Sequence, residues 1–338
     1  MSKLLSNDEL LIEKTNNLVE TRMPSFASRF FDAQMAKLQP ASLYGYAIDM
    51  AAFFEYISCN KEYSIETMTL KDFQSLSECE LEDYIIESQL YDTYGEVKER
   101  SIAAIRRRYA SLRTFYMYYY TESLINAIPI LKVTQPAQPK IRQYIPSDAE
   151  KIELLSYIAN GTLPSSRAAS YQNNVRKRDT AIAVLLICAG LKASECERLN
   201  IDDLHLEEQY IIVKKRRKSK VYISPFVAIV LSNYLTERLH VVTEYMHDNA
   251  LFLSIKRRRI SQDAIEEFIK KYTTTLFGDE IKIAPKDLSF SYRDNIFYAT
   301  KNVPLSAELC GCDPNTIFNI YKAEILEFDE GAYNFARF

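Results

Sequence analysis

Four prolines, Pro129, Pro136, Pro139 and Pro146, fall in a polar, largely aperiodic stretch from about Ile128 to Pro146, and this break constrains the fold more than any other feature. Proline lacks the backbone N–H and clashes with the preceding turn, so no helix interior runs through such a segment. It reads as an extended linker. Helical periodicity resumes on both sides, and 338 residues suffice for two domains, each with its own core. Seven glycines and no tryptophan accompany the helical pattern, so a mainly α, two-domain protein is expected.

Before the break, residues 1–22 read as a loose arm or a short helix. From Met23 onward Phe26, Phe30, Phe31 and Met35 share one helical side. Ser42 reads as the cap of a helix carrying Leu43, Tyr46, Met50, Phe53, Phe54 and Ile57. Leu70 to Gln89 reads as shorter helical pieces between serine-rich turns. The strongest helix runs from Ser101 to Tyr120, burying Ile102, Ile105, Tyr109, Leu112, Phe115 or Tyr116, and Tyr119. Its other face carries Arg106, Arg107, Arg108 and Arg113, either a DNA-binding surface or a solvated helix face.

After the break, Ser147-Asp148-Ala149-Glu150 has the form of a helix start. Arg178 to Gly190 is nearly all apolar and reads as a buried helix. Tyr210–Val213 and Val221–Ile223 favour strands and flank Lys214-Lys215-Arg216-Arg217-Lys218-Ser219-Lys220, which gives a β-hairpin with a basic tip. Solvated turns mix charge signs, but no acid interrupts this run. The hairpin basics Lys214, Lys215, Arg216, Arg217, Lys218 and Lys220 are therefore expected to contact DNA phosphates, although the chain carries a net charge of −3.

Near the C-terminus, Gly311 suits the left-handed residue that ends a short helix begun near Pro304. Asp313 and Pro314 read as N-cap and first position of the next helix, with Tyr321 in its third turn. Tyr321 follows Cys312 by nine residues and Arg293, in Ser291-Tyr292-Arg293-Asp294, by twenty-eight. Much earlier stands Ala189-Gly190-Leu191-Lys192-Ala193-Ser194-Glu195, followed by Asn200-Ile201-Asp202-Asp203-Leu204 and the basic hairpin. In this order and spacing the chain resembles the tyrosine recombinases, the phage-integrase and Xer-type family.

The resemblance implies a helical core-binding domain over residues 23–127 and a linker over 128–146. It also implies a mostly helical catalytic domain with a small antiparallel β-hairpin or sheet over 147–322, and a tail over 323–338 that is buried either on a neighbouring protomer or against its own domain. In the family, two such domains close around duplex DNA. A tyrosine hydroxyl attacks the scissile phosphate, giving a 3′-phosphotyrosyl enzyme and a free 5′-hydroxyl, with no metal or other cofactor. Two arginines stabilise the phosphate oxygens through bidentate bonds, and a hairpin lysine protonates the leaving oxygen. Residue by residue, the resemblance implies Tyr321 as nucleophile and Arg293 as the second arginine. Lys192 takes the first arginine's place, and the hairpin lysine is Lys215, with Lys214 or Lys218 as alternatives. Phe290 stands where the family has a histidine, and Cys312 replaces the last histidine or tryptophan.

Lysine at 192 keeps the charge and loses the fork. Phenylalanine at 290 has no donor, and cysteine at 312 is a weak hydrogen-bond partner. Tyr292, Tyr298 and Lys286 are close enough in sequence to compensate. Three readings follow: a site-specific recombinase, a catalytically impaired homologue that binds recombination sites beside an active partner, and a helical regulator without this chemistry. The first two imply double-stranded DNA as partner and a homo-oligomer, a tetramer, assembled on it. Cys310-x-Cys312 has no histidine nearby and predicts no metal site. No apolar run approaches the roughly 18 residues that span a bilayer, and the first residues are too acidic for a signal peptide, so a cytoplasmic protein is expected.

Overall fold

Side-chain caps set most of the helix starts. Ser147 and Glu150 exchange bonds as a capping box, as do Thr69 with Asp72 and Ser77 with Glu80, each tying up amide donors that the first turn leaves free. The computed structural model describes residues 7–61, 64–93, 96–137, 144–214, 216, 219–243, 247–322 and 324–325. By its contacts the chain divides into two units, Met1–Ile141 and Arg142–Phe338.

The first unit contains α1 (Asn7–Arg22), α2 (Ala27–Met35), α3 (Pro40–Lys61), α4 (Leu70–Ser75), α5 (Glu78–Glu87), an antiparallel hairpin of β1 (Leu90–Thr93) and β2 (Glu96–Glu99), and α6 (Ile102–Thr121). Residues expected to form a loose arm or short helix instead form the 16-residue α1, which reaches the core through Thr15 and Val19. Helix α3 begins at Pro40 rather than after Ser42, because proline's fixed φ suits a first helical position. The hairpin was not legible in the sequence: all four β2 residues are exposed, so no apolar alternation marks it. On α6, Phe115 and Tyr116 are both buried, whereas Ile102, expected in the core, is 40% exposed in the first turn.

The core of this unit is aromatic. Phe73 lies against Tyr116 with ring centroids 4.1 Å apart, and Phe26, Phe30, Phe53, Phe54 and Phe115 pack around them, mostly edge-to-face or tilted. The stretch expected to be an extended linker opens with a 3-10 turn at Pro129–Leu131. There Ile130 and Val133 are buried with the aromatics, and Tyr109 donates to the Ile130 carbonyl at 3.1 Å. Residues 138–143 of that stretch lie outside the described residues.

The second unit contains α7 (Asp148–Asn160), α8 (Ser166–Cys188), α9 (Ala193–Arg198), β3 (Leu204–His205), β4 (Tyr210–Ile212), β5 (Lys220–Tyr222), α10 (Pro225–Arg238), α11 (Gln262–Phe277), α12 (Pro285–Thr300), α13 (Val303–Cys310) and α14 (Pro314–Ile320). The expected hairpin is present as β4–β5, and β3 extends it to an antiparallel sheet of order β3-β4-β5. Residues Ala181–Leu186 of α8 have no exposed surface and form the centre of the main core. Helix α8 begins twelve residues before Arg178, where its expected start lay, on a Ser165 cap. A smaller apolar cluster of Phe297, Ala307, Ile317 and Tyr321 joins α12, α13 and α14. The architecture is mainly helical with small antiparallel sheets, as expected. Among the described residues no helix is long and apolar enough to cross a membrane.

Candidate active site

The turn after α8 needs a glycine twice over. Gly190 has φ +61°, and a Cβ there would stand 2.3 Å from Cδ1 of Tyr292 on α12. The Leu191 amide closes back onto the Leu185 carbonyl at 3.1 Å, so the chain reverses sharply and delivers Lys192 to the start of α9. The exposed Lys192 donates its backbone N–H to Oε2 of Glu195 at 2.8 Å.

Glu195 in turn receives the guanidinium of Arg216. Arg216 Nε donates to Oε1 at 2.7 Å and Nη2 to Oε2 at 2.6 Å, a two-pronged pair with only 7% and 11% of the side chains exposed. The same guanidinium donates to the carbonyls of Gly190 at 2.9 Å and Cys310 at 3.3 Å. Burial pushes the Glu195 carboxyl up, but the hydrogen bonds and charge of Arg216 outweigh it and hold the group below the usual glutamate range.

Helix α12 supplies the opposite wall. Arg293 projects over the ring of Phe290, 5.5 Å from its centroid, and its buried Nε has no hydrogen-bond partner among the described residues. At the α13–α14 turn, Gly311 is left-handed at φ +62°, Asp313 caps the Asn315 amide at 2.8 Å, and Pro314 opens α14, all as the sequence indicated. These walls enclose a cleft of about 200 Å³ lined by Lys192, Arg216, Arg293, Tyr292, Cys310 and Cys312 among others. Organic ligand pockets run to ~300–1,000 Å³. The cleft therefore suits a small anionic group better than a whole cofactor. Burial pushes the Cys310 thiol to about 11 and raises Cys312 as well, so neither is a thiolate near neutrality.

Tyr321 is close by but does not line the cleft. It follows the last residue of the seven-residue α14, short of the expected third turn, and is 3% exposed. Its ring lies flat on Phe297, with centroids 4.0 Å apart and planes 9° apart, and its hydroxyl donates to Oδ1 of Asp294 at 3.1 Å. Burial first, then the Asp294 charge, hold the phenol well above its ordinary value. Phe290 faces Arg293, Lys286 is exposed, and Tyr298 meets Tyr321 edge-on at 6.1 Å.

Of the hairpin basics, Lys214 pairs with Asp203 at 3.1 Å, and Lys220 lies over the Tyr210 ring at 3.8 Å. Lys215, Arg217 and Lys218 lie outside the described residues, as does most of the 323–338 tail. In the first unit, Arg106 donates to the Pro136 carbonyl, and Arg107 pairs with the buried Asp49 at 3.0 Å while donating to the Gly45 carbonyl. Arg108 reaches Asp49 at 4.0 Å, and Arg113 is exposed. Among the described residues no His, Cys, Asp and Glu side chains group as metal ligands would. Sequence reasoning missed Glu195 and Asp294 as partners of Arg216 and Tyr321. Both stand inside the quoted motifs; Asp294, next to Arg293, carried a local signal, whereas Glu195 pairs across 21 residues and carried none.

Residues 165–308 match the model of the phage integrase family. The tyrosine recombinase XerS of Streptococcus thermophilus (strain CNRZ 1066) is 24% identical over 342 residues, covering 93% of this chain and 95% of that protein. XerS of Streptococcus mutans serotype c is 24% identical over 343 residues with the same coverage. Among solved structures, XerH recombinase bound to a palindromic difH substrate has a TM-score of 0.63 at 18% identity, covering 96% of this chain and 93% of that one. The Tn1549 transposon integrase in complex with transposon right end DNA has a TM-score of 0.60 at 13% identity, covering 84% and 93%. These structures share the fold.

Proposed function

The chain belongs to the phage integrase family, and from that premise we propose that it is a site-specific tyrosine recombinase that binds duplex DNA and exchanges strands through a 3′-phosphotyrosyl intermediate. The observation that carries this reading is the cleft itself. Lys192 and Arg293 line a space of phosphate size beside the Gly190 and Gly311 turns.

In this reaction Tyr321 Oη releases its proton to solvent and attacks the phosphorus, and the bond to the 5′-oxygen breaks. A hairpin lysine, Lys215 by position, gives its proton to that oxygen. Rejoining reverses the step with a 5′-hydroxyl from the partner strand. Arg293 and Lys192 stabilise charge on the non-bridging oxygens. Arg113, Lys214 and Lys220 contribute to phosphate binding along the duplex, and the protein assembles as a tetramer on paired sites.

A second reading, a site-binding homologue with impaired chemistry, is favoured by Phe290, which offers no donor, and by Tyr321 lying outside the cleft. A nicked duplex that traps the covalent adduct separates the two. The recombinase forms the adduct and Tyr321→Phe abolishes it with duplex affinity retained. A wild-type protein that binds the duplex yet traps nothing is the impaired homologue.

A further inference from the structure

Arg216 stands in a run of basic residues, yet its guanidinium is turned inward. It makes four hydrogen bonds that converge from separate parts of the chain: two to the Glu195 carboxylate, one to the Gly190 carbonyl and one to the Cys310 carbonyl. These acceptors belong to the turn that presents Lys192 and to the end of α13, from which the Tyr321 arm departs.

We propose that Arg216 is a positioning residue: it clasps the hairpin loop, the Gly190–Glu195 turn and the end of α13 together, and so fixes Lys192 and Cys310–Cys312 relative to Arg293. The inference rests on the recombinase reading for its catalytic consequence, but the clasp itself does not. Three acceptor groups at different angles require a planar fork with donors on three nitrogens. A lysine ammonium has the same charge and cannot span them. Most of the donors are already engaged, so Arg216 contributes little to phosphate binding. Within the basic run, Arg216 therefore has a role of its own: it builds the site.

The test uses the full chain as wild type, Arg216→Ala, Arg216→Lys and Glu195→Gln. Amide hydrogen exchange on the free protein comes first. Exchange within residues 189–196 and 307–312 should quicken by about 10-fold or more in both Arg216 variants, with Glu195→Gln intermediate, while the interior of α8 is unchanged. Protein–duplex titrations across salt concentrations should keep their slope, whereas loss of a phosphate contact lowers it by roughly one unit. At saturating nicked duplex, the rate of adduct formation should fall by on the order of 100-fold, as for a reacting group displaced by ~1 Å, with Kd unchanged. Should Arg216→Ala fail to fold, Arg216→Lys and Glu195→Gln carry the comparison. Unchanged exchange in both segments overturns the clasp, and so does a lower salt slope, which would make Arg216 a phosphate ligand. Absence of adduct in the wild type overturns only the recombinase reading, because the exchange comparison still decides the clasp.

Discussion

The docked state of Tyr321 gives a prediction with a calculable size. For its oxygen to reach a phosphate in the cleft, the phenol must leave Asp294 and Phe297. A hydrogen bond to a carboxylate contributes about 1.5–3 kcal/mol, and a stacked aromatic pair about 0.5–1.5 kcal/mol. With the bond at 3.1 Å and the rings nearly parallel, both contributions apply. Undocking then costs ~2–4.5 kcal/mol, so roughly one molecule in 30 to one in 2,000 presents a free tyrosine. Asp294→Asn keeps the shape and an acceptor oxygen but removes the charge. A loss of ~1 kcal/mol should raise the rate of adduct formation about 5-fold. Asp294→Ala removes the acceptor and should raise it ~10- to 150-fold. The assay is single-turnover trapping on nicked duplex at saturating concentration, with thermal melting as a check that each variant is folded. A fall in rate in both variants would refute the reasoning, because Asp294 would then be the base that takes the Tyr321 proton in the geometry observed.

Lys192→Arg should increase the trapping rate, since the planar fork restores bidentate phosphate contact; an unchanged rate would mean that this side chain never meets the phosphate. Gly190→Ala combines a left-handed backbone with a Cβ 2.3 Å from the Tyr292 ring, and should destabilise the protein by about 1–3 kcal/mol in urea titration. The Arg216–Glu195 pair should respond to acid in a defined direction. The folded glutamate titrates below its ordinary value of 4.5, so its stabilising contribution is complete above that pH and is lost as pH falls through the lower folded value. Glu195→Gln should flatten the stability profile in that acid range alone.

The sequence revealed elements where local chemistry was strong. Proline and aspartate at the start of α14, glycine at the end of α13 and the β-formers around the basic tip each specify backbone geometry within a few residues. Arg106, Arg107 and Arg108 show where such reading stops. Helical spacing assigns them to a polar face. It does not reveal that Asp49, 1% exposed on α3, draws Arg107 and Arg108 toward the core region. Arg216 was hidden for the same reason. A run of like charges reads as a solvated or DNA-facing loop until a long-range acid is known, and Glu195 is 21 residues away. The β1–β2 hairpin carries no buried alternation, so no periodicity announces it.

Tyr321 is held by the small cluster of Phe297, Ala307 and Ile317, not by the main core around Ala181–Leu186. An element fastened through so few apolar side chains opens at a free energy well below that of global unfolding. On the proposed recombinase reading, the Tyr321 arm is in this sense a separately reversible latch. Local opening of this kind lets an element detach and reseat while the rest of its unit stays folded. Sequence change in that small cluster would alter how often the tyrosine is presented without altering the residues that act on the phosphate. The tempo of strand exchange could thus be adjusted independently of its chemistry.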